Sequence, residues 1–122
     1  MNLADKYVDG FVLPLPKSNI AAYKEFSTKA GKLWIAHGAL QYIECTADDV
    51  PHGKLTSFPR AVMLDEHEIV VFAWIVYESR EHRDRVNAAV MSDPLMKSMA
   101  PQTTPFDGKR MIFGGFDVLL AM

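Results

Sequence analysis

The sequence predicts an α+β chain of the ferredoxin-like kind, a split βαβ with an antiparallel sheet. Three observations carry that expectation. Strand-like and helix-like segments follow one another as strand, helix, strand, short element, strand, helix, strand. The run Ile69 to Tyr77 is apolar at every position, the mark of a strand covered on both faces. The chain has 122 residues, 49% of them hydrophobic, which suits one domain spanning 1–122 with a packed core.

Each element has a local reason. Tyr7 to Leu15 is rich in aromatic and β-branched residues, and Pro14 and Pro16 stop it, so it reads as a strand. Ser18-Asn19 offers a helix cap, and Ile20, Tyr23, Phe26, Ala30, Leu33 and Trp34 then recur at helical spacing up to His37. Gly38 supplies the stop, and Gly31 weakens the last turns. Ala39 to Thr46 reads as a second strand, with Leu40, Tyr42 and Glu44 on one face and Ala39, Gln41, Ile43 and Cys45 on the other. Ala47 to Ser57 is a loop; Phe58 to Leu64 fits either a short strand or a turn of helix. A polar turn, Asp65 to Glu68, leads into the strand Ile69 to Tyr77. Ser79 caps a helix from Arg80 to about Met91, and Asp93-Pro94 restarts a short one packed by Leu95, Met96 and Met99. Ala100 to Lys109, with two prolines and Asp107-Gly108, is a loop before a last strand, Met111 to Leu120. Gly114-Gly115 within that strand points to a bulge or a close backbone approach.

Composition narrows the classes of function. Thirteen Lys and Arg against 15 Asp and Glu give a net charge of −2 and a pI near 6.0, without the basic footprint of a nucleic-acid binder. A single Cys excludes an internal disulfide and a Cys-rich zinc site, and suits a reducing compartment. The first residues lack the apolar core of a signal peptide, and no apolar run approaches the roughly 20 residues of a membrane helix. The expectation is a cytoplasmic protein with neither membrane nor nucleic-acid partner.

Two helices cover only one face of such a sheet. Ile69 to Tyr77, Phe11-Val12-Leu13, Met111-Ile112-Phe113 and Val118-Leu119-Leu120 are apolar on both faces. A second copy of the same sheet is the simplest cover, so a face-to-face homodimer is expected.

Four motifs carry a resemblance. They are Tyr7-Val8-Asp9-Gly10-Phe11-Val12; Glu44-Cys45 followed by Asp48-Asp49-Val50-Pro51 and Gly53-Lys54; Met91-Ser92-Asp93-Pro94; and Pro105 to Ile112 with Gly114-Gly115-Phe116. Together, and in this order, they resemble the YbaA-like bacterial proteins, a family of unknown function (domain of unknown function 1428). The resemblance spans nearly the whole chain and implies a dimeric α+β barrel. It transfers no reaction and no catalytic residue, and the wider fold relatives range from cofactor-free monooxygenases and isomerases to non-catalytic proteins.

Asp48, Asp49 and His52 have metal-ligand chemistry but not metal-site spacing, and a solvated turn explains them better. No metal or cofactor is expected. His67 and His82 read as surface residues, and His37 as a partner for free carbonyls at its helix end. Cys45 lies beside Ile43 on a strand face and reads as a small buried hydrophobe rather than a nucleophile. Glu44 and Asp9 stand apart, each on an otherwise apolar strand face. A carboxylate there is either paired, with Arg60, Lys109 or Arg110, or it faces a cavity, has a raised pKa and serves as an acid or base.

The functional expectation is a small molecule held between sheet and helices. A cofactor-free isomerase or monooxygenase would use Glu44 or Asp9 as its base, walled by Trp74, Tyr42 and Phe113. Arg110, set by the Asp107-Gly108 turn, is expected at the pocket mouth, holding Asp9 or an acidic ligand. The alternative is a non-catalytic homodimer with a structural or interaction role. The sequence leaves open whether the protein is an enzyme.

Overall fold

The computed structural model describes residues 2–99 and 104–122. Strand β1 (Tyr7–Pro16) pairs antiparallel along its whole length with β3 (Glu68–Tyr77), from Tyr7 opposite Tyr77 to Pro16 opposite Glu68. Strand β2 (Gln41–Thr46) flanks β3, and β4 (Ile112–Asp117) flanks β1, so the order is β2-β3-β1-β4. Each βαβ unit is therefore split by a strand of the other, and the fold is α+β and ferredoxin-like, as expected.

Helix α1 (Ile20–Ala36) follows a 3-10 turn at Lys17–Asn19 and begins later than the expected Ser18, without a side-chain cap. Asn19 instead donates to the Pro105 carbonyl at 2.8 Å. The helix ends at Gly38, whose φ of 114° only glycine adopts cheaply. The amides of Gly38 and Ala39 bond back to the Ile35 and Trp34 carbonyls at 3.1 and 2.9 Å, a Schellman ending. Helix α3 (Arg80–Ser92) is capped by Ser79, whose Oγ accepts from the His82 amide, and α4 (Pro94–Ser98) by Asp93. The ambiguous segment after Ser57 is a turn of helix, α2 (Phe58–Ala61).

Helices α1 and α3 cover one face of the sheet. Leu13, Leu15 and Val71 pack there with Tyr23; Tyr7, Ile75 and Tyr77 pack with Leu33, Val86 and Val90. On the other face, Val62, just after α2, covers Val12 and Val70. Beyond that patch the second face is open. Phe72, Ile112 and Phe116 are 43%, 45% and 62% exposed, and Phe58, Phe72 and Trp74 form a chain of neighbouring rings 5.5–5.8 Å apart.

The last strand is shorter than expected. It stops at Asp117, and Leu119 and Leu120 stand in solvent. Gly115 answers the glycine pair: a Cβ there would lie 2.8 Å from ring atoms of Tyr7, the neighbouring-strand residue. Of the expected loop 100–109, residues 100–103 lie outside the described residues, and Gly108–Arg110 forms a 3-10 turn capped by Asp107.

That turn aims Arg110 at Glu68, not at Asp9. Both Glu68 carboxylate oxygens accept from the guanidinium, at 2.8 and 2.7 Å. Asp107 accepts from Nε at 2.9 Å and the Met63 carbonyl from Nη1 at 3.0 Å. Glu68 is buried, and its hydrogen bonds with Arg110 hold its carboxyl below the ordinary glutamate value despite that burial. The pair's stabilisation is complete above the ordinary carboxylate pKa and is lost as pH falls through the lowered value. Arg110→Met strands a buried carboxylate. It lowers the urea midpoint more than Lys6→Met, which breaks the more exposed Lys6–Glu78 pair. Equal midpoints for the two variants would show that the Glu68 pair adds nothing.

Candidate functional site

Between α1 and the sheet lies a cavity of about 210 Å³. Its floor is Phe11 and Leu13 of β1 with Ala73 and Ile75 of β3, and Tyr42 and Glu44 of β2 stand at one side. Tyr23, Phe26, Ser27, Ala30 and Trp34 of α1 form the roof, and Met96, Phe106 and Met111 close the rest. Phe106 meets the Tyr23 and Phe26 rings edge-on, at 5.6 and 6.3 Å. On the β2 side a wider groove of about 760 Å³ runs between α1 and β2, with Lys24 and Lys32 at its exposed rim. Tyr23, Ser27, Tyr42 and Glu44 line both spaces and so form the partition between them.

Among the described residues Glu44 has no cationic partner at this partition. The Tyr23 hydroxyl donates to one carboxylate oxygen at 2.6 Å, and the Tyr42 hydroxyl to the other at 3.1 Å. Burial pushes the Glu44 carboxyl above its ordinary value, and the two phenol hydrogen bonds and the nearby Ser27 hydroxyl pull the other way without offsetting it. Burial and the neighbouring carboxylate push both phenols well above the usual tyrosine range, so they stay protonated donors. Ser27, in the helical turn above them, is 7% exposed, and its Oγ has no hydrogen-bond partner among the described residues. The Tyr42 ring reaches Glu44 only because residue 31 is glycine: a Cβ there would lie 2.8 Å from the ring. A residue read from sequence as a weak point in α1 is thus a close approach the site requires.

The other expected site residues lie elsewhere. Asp9 faces α3 and accepts from Arg83 at 2.6 Å; the same guanidinium sits 5.1 Å from the centre of the Tyr7 ring. Its partner is thus neither Arg60, Lys109 nor Arg110, because the helix that packs over that end of β1 carries Arg83 instead. Trp74 is on the open face, since it is even-numbered in β3 while the cavity wall is odd-numbered. Phe113 stacks on Phe11 at 6.4 Å but lines neither space. Arg110 and Asp107 line neither space and are committed to each other and to Glu68. His37 meets Asp93 at 2.8 Å rather than free carbonyls. Cys45 is half-buried beside Ile43 on the open side of β2. Among the described residues, Asp48, Asp49 and His52 form no cluster; Asp65, His67 and Glu68 do come within 4.8 Å, but Arg110 already occupies both Glu68 oxygens.

Sequence reasoning missed Ser27, Phe106 and Met111. Ser27 carries a faint signal: it follows Tyr23 by four residues, so a hydroxyl interrupts the apolar stripe of α1.

The family model described as a protein of unknown function, DUF1428, matches residues 6–108. The chain belongs to the DUF1428 family. Among curated DUF1428-type relatives it is 51% identical over 115 residues to the uncharacterised protein YbaA of Escherichia coli K12, covering 94% of this chain and 97% of that protein. The YbaA protein of Shigella flexneri matches equally. Solved structures share the DUF1428 chain's fold at low identity. An uncharacterised NIPSNAP domain protein from Burkholderia xenovorans aligns with a TM-score of 0.60 at 15% identity, covering 90% of this chain and 91% of the other. SnoaB, a cofactor-independent oxygenase from Streptomyces nogalater, aligns with a TM-score of 0.59 at 12% identity, covering 98% of each chain.

The raised Glu44 carboxyl has a thermal signature. A carboxyl raised in the folded state favours folding fully below the ordinary value of 4.5 and loses that contribution as pH rises through the folded-state value. Glu44→Gln removes this loss. The melting temperature of the variant minus that of the native protein grows as pH rises from about 4 towards neutrality, then levels off. A difference constant across that range would show that Glu44 titrates normally.

Proposed function

We propose that the cavity binds a small, largely apolar molecule and that Glu44 is a general base for cofactor-free chemistry beside a carbonyl. One observation supports this above the others: an ionisable carboxylate with no cation beside it, raised in pKa, in an aromatic-walled cavity. Asp9 is the weaker candidate, because Arg83 neutralises it away from the cavity. In the proposed step Glu44 takes a proton from the carbon next to the carbonyl, and the C–H electron pair becomes an enolate. Where a neighbouring double bond extends the enolate, return of the proton from Glu44 to the far carbon of that system shifts the double bond and isomerises the substrate. Alternatively, dioxygen as co-reactant adds at that carbon, and loss of water from the hydroperoxide leaves a new carbonyl. SnoaB's description as a cofactor-independent oxygenase is consistent with the second outcome, although its likeness to this chain is one of fold.

The test is deuterium exchange into 2-tetralone in D2O, followed by proton NMR. Its C1 protons are acidified by both ring and carbonyl. The native protein accelerates exchange, and Glu44→Gln reduces the acceleration by about 100-fold or more, the usual scale for a general base. Exchange that is equal in the variant, or no faster than buffer, would sink the general-base reading.

A second reading rests on the open sheet face. Phe72, Ile112 and Phe116 leave a large apolar surface that a second copy covers in a homodimer, whether the protein is catalytic or serves a structural or interaction role. Light scattering gives a dimer mass for the native chain, and Phe116→Asp gives a folded monomer. A native protein that is already monomeric and stable would dispose of the dimer.

A further inference from the structure

Ser27 is at odds with its surroundings. A serine inside a helix usually returns its hydroxyl to the carbonyl four residues back. Thr28, its neighbour, does so, donating to the Lys24 carbonyl at 2.6 Å. Ser27 is more deeply buried, yet its Oγ has no hydrogen-bond partner among the described residues, and it lines the cavity beside Glu44. A buried hydroxyl without a partner costs free energy, and a residue of any apolar type would avoid the cost.

The rest of the lining limits what the missing partner is. Among the described residues, no Lys, Arg or His faces the inner cavity, so nothing there compensates an anionic ligand. Glu44 supplies negative charge of its own and repels one. Tyr23 and Tyr42 have committed their hydroxyl protons to Glu44. The Ser27 hydroxyl lies near enough to Glu44 to pull its carboxyl down, yet it is in no hydrogen bond among the described residues, so its proton can turn to an incoming oxygen. The cavity, at about 210 Å³, is somewhat larger than the roughly 150 Å³ that holds a benzene in an apolar protein interior. That leaves room for a fused two-ring skeleton between Phe11, Trp34 and Phe106.

We infer that the cavity takes a neutral aromatic ketone, or a molecule of that shape and polarity, whose single oxygen accepts a hydrogen bond from Ser27 Oγ. This deepens the Glu44 reading and rests on it for the reaction, but not for the ligand class. If Glu44 abstracts the adjacent proton, negative charge grows on that oxygen, and the Ser27 hydrogen bond strengthens as it does.

Three probes of similar size separate the contributions: 2-tetralone (neutral, one oxygen), tetralin (no oxygen) and 2-naphthoate (charged). Their affinities are measured by ligand-observed NMR titration against the native protein and Ser27→Ala. The variant removes an unpartnered group, leaves no other group unpaired, and keeps or gains melting temperature. The native protein binds 2-tetralone more tightly than tetralin, and 2-naphthoate most weakly. Ser27→Ala weakens 2-tetralone about five- to tenfold and leaves tetralin unchanged, the size expected for one hydrogen bond. Equal 2-tetralone affinity in the two proteins, 2-naphthoate binding as tight as 2-tetralone, or no binding by any probe would overturn the inference. The two readings fail separately. Serine-dependent binding without deuterium exchange upholds the ligand class and removes the general base. Exchange with serine-independent binding does the reverse.

Discussion

The ladder between β1 and β3, ten residues against ten, decides which side chains face the helices and which face away. Because side chains alternate along a strand, one register assigns Phe11, Leu13, Ala73 and Ile75 to the cavity and Val12, Val70, Phe72 and Trp74 to the opposite face. β2 then hangs from β3 with Glu44 opposite Ala73, which brings the carboxylate to the cavity side. A slip of one residue would exchange the two faces and put Trp74 where Ala73 now stands. The cavity exists because Ala73 is small at a place where α1 supplies large rings.

Of the four carboxylates on this sheet, Asp9, Glu44 and Glu68 differ in the partners they meet. Glu68 meets a two-pronged guanidinium and is held ionised; that arrangement serves structure. Asp9 meets Arg83, which also lies over the Tyr7 ring, and ties β1 to α3. Among the described residues Glu44 meets neutral hydroxyls, the Tyr23 and Tyr42 phenols with Ser27 close by. Phenol hydrogen bonds orient a carboxylate without cancelling its charge, so the cost of burial remains as a raised affinity for a proton. The difference between a carboxyl held low and one pushed up lies here in the charge of the donor.

The fold is shared with proteins as different as a NIPSNAP domain protein and a cofactor-independent oxygenase, at 15% and 12% identity. The sheet and its two helices supply a frame with a gap, and the residues that fill the gap set the chemistry. In this chain Tyr23, Ser27, Tyr42 and Glu44 come from one helix and one edge strand. Gly31 leaves the space against α1 that the Tyr42 ring fills. An edge strand is the element least constrained by neighbours, which makes the α1–β2 seam the place where sheet and helix can part into a groove.

Periodicity is local, and so the elements were legible in the sequence: the apolar run of β3, the 3.6-residue stripe of α1, the caps at Ser79 and Asp93, and the stop at Gly38 need only near neighbours. The apolar character of both sheet faces, and with it the exposed Phe72 and Phe116, was legible for the same reason. Glu44 stood out because a carboxylate on an apolar strand face is costly in any fold. Partners were not legible. Arg83 rather than Arg110 meets Asp9, Arg110 meets Glu68, and Asp93 meets His37, each across a gap of tens of residues that only helix packing and strand order close. Trp74 and Ala73 are adjacent in the chain, yet the pleat sends one to the open face and the other to the cavity. The unpartnered hydroxyl of Ser27 is likewise a tertiary fact, since a hydroxyl's lack of a partner depends on every atom around it and on none of its own residue's properties.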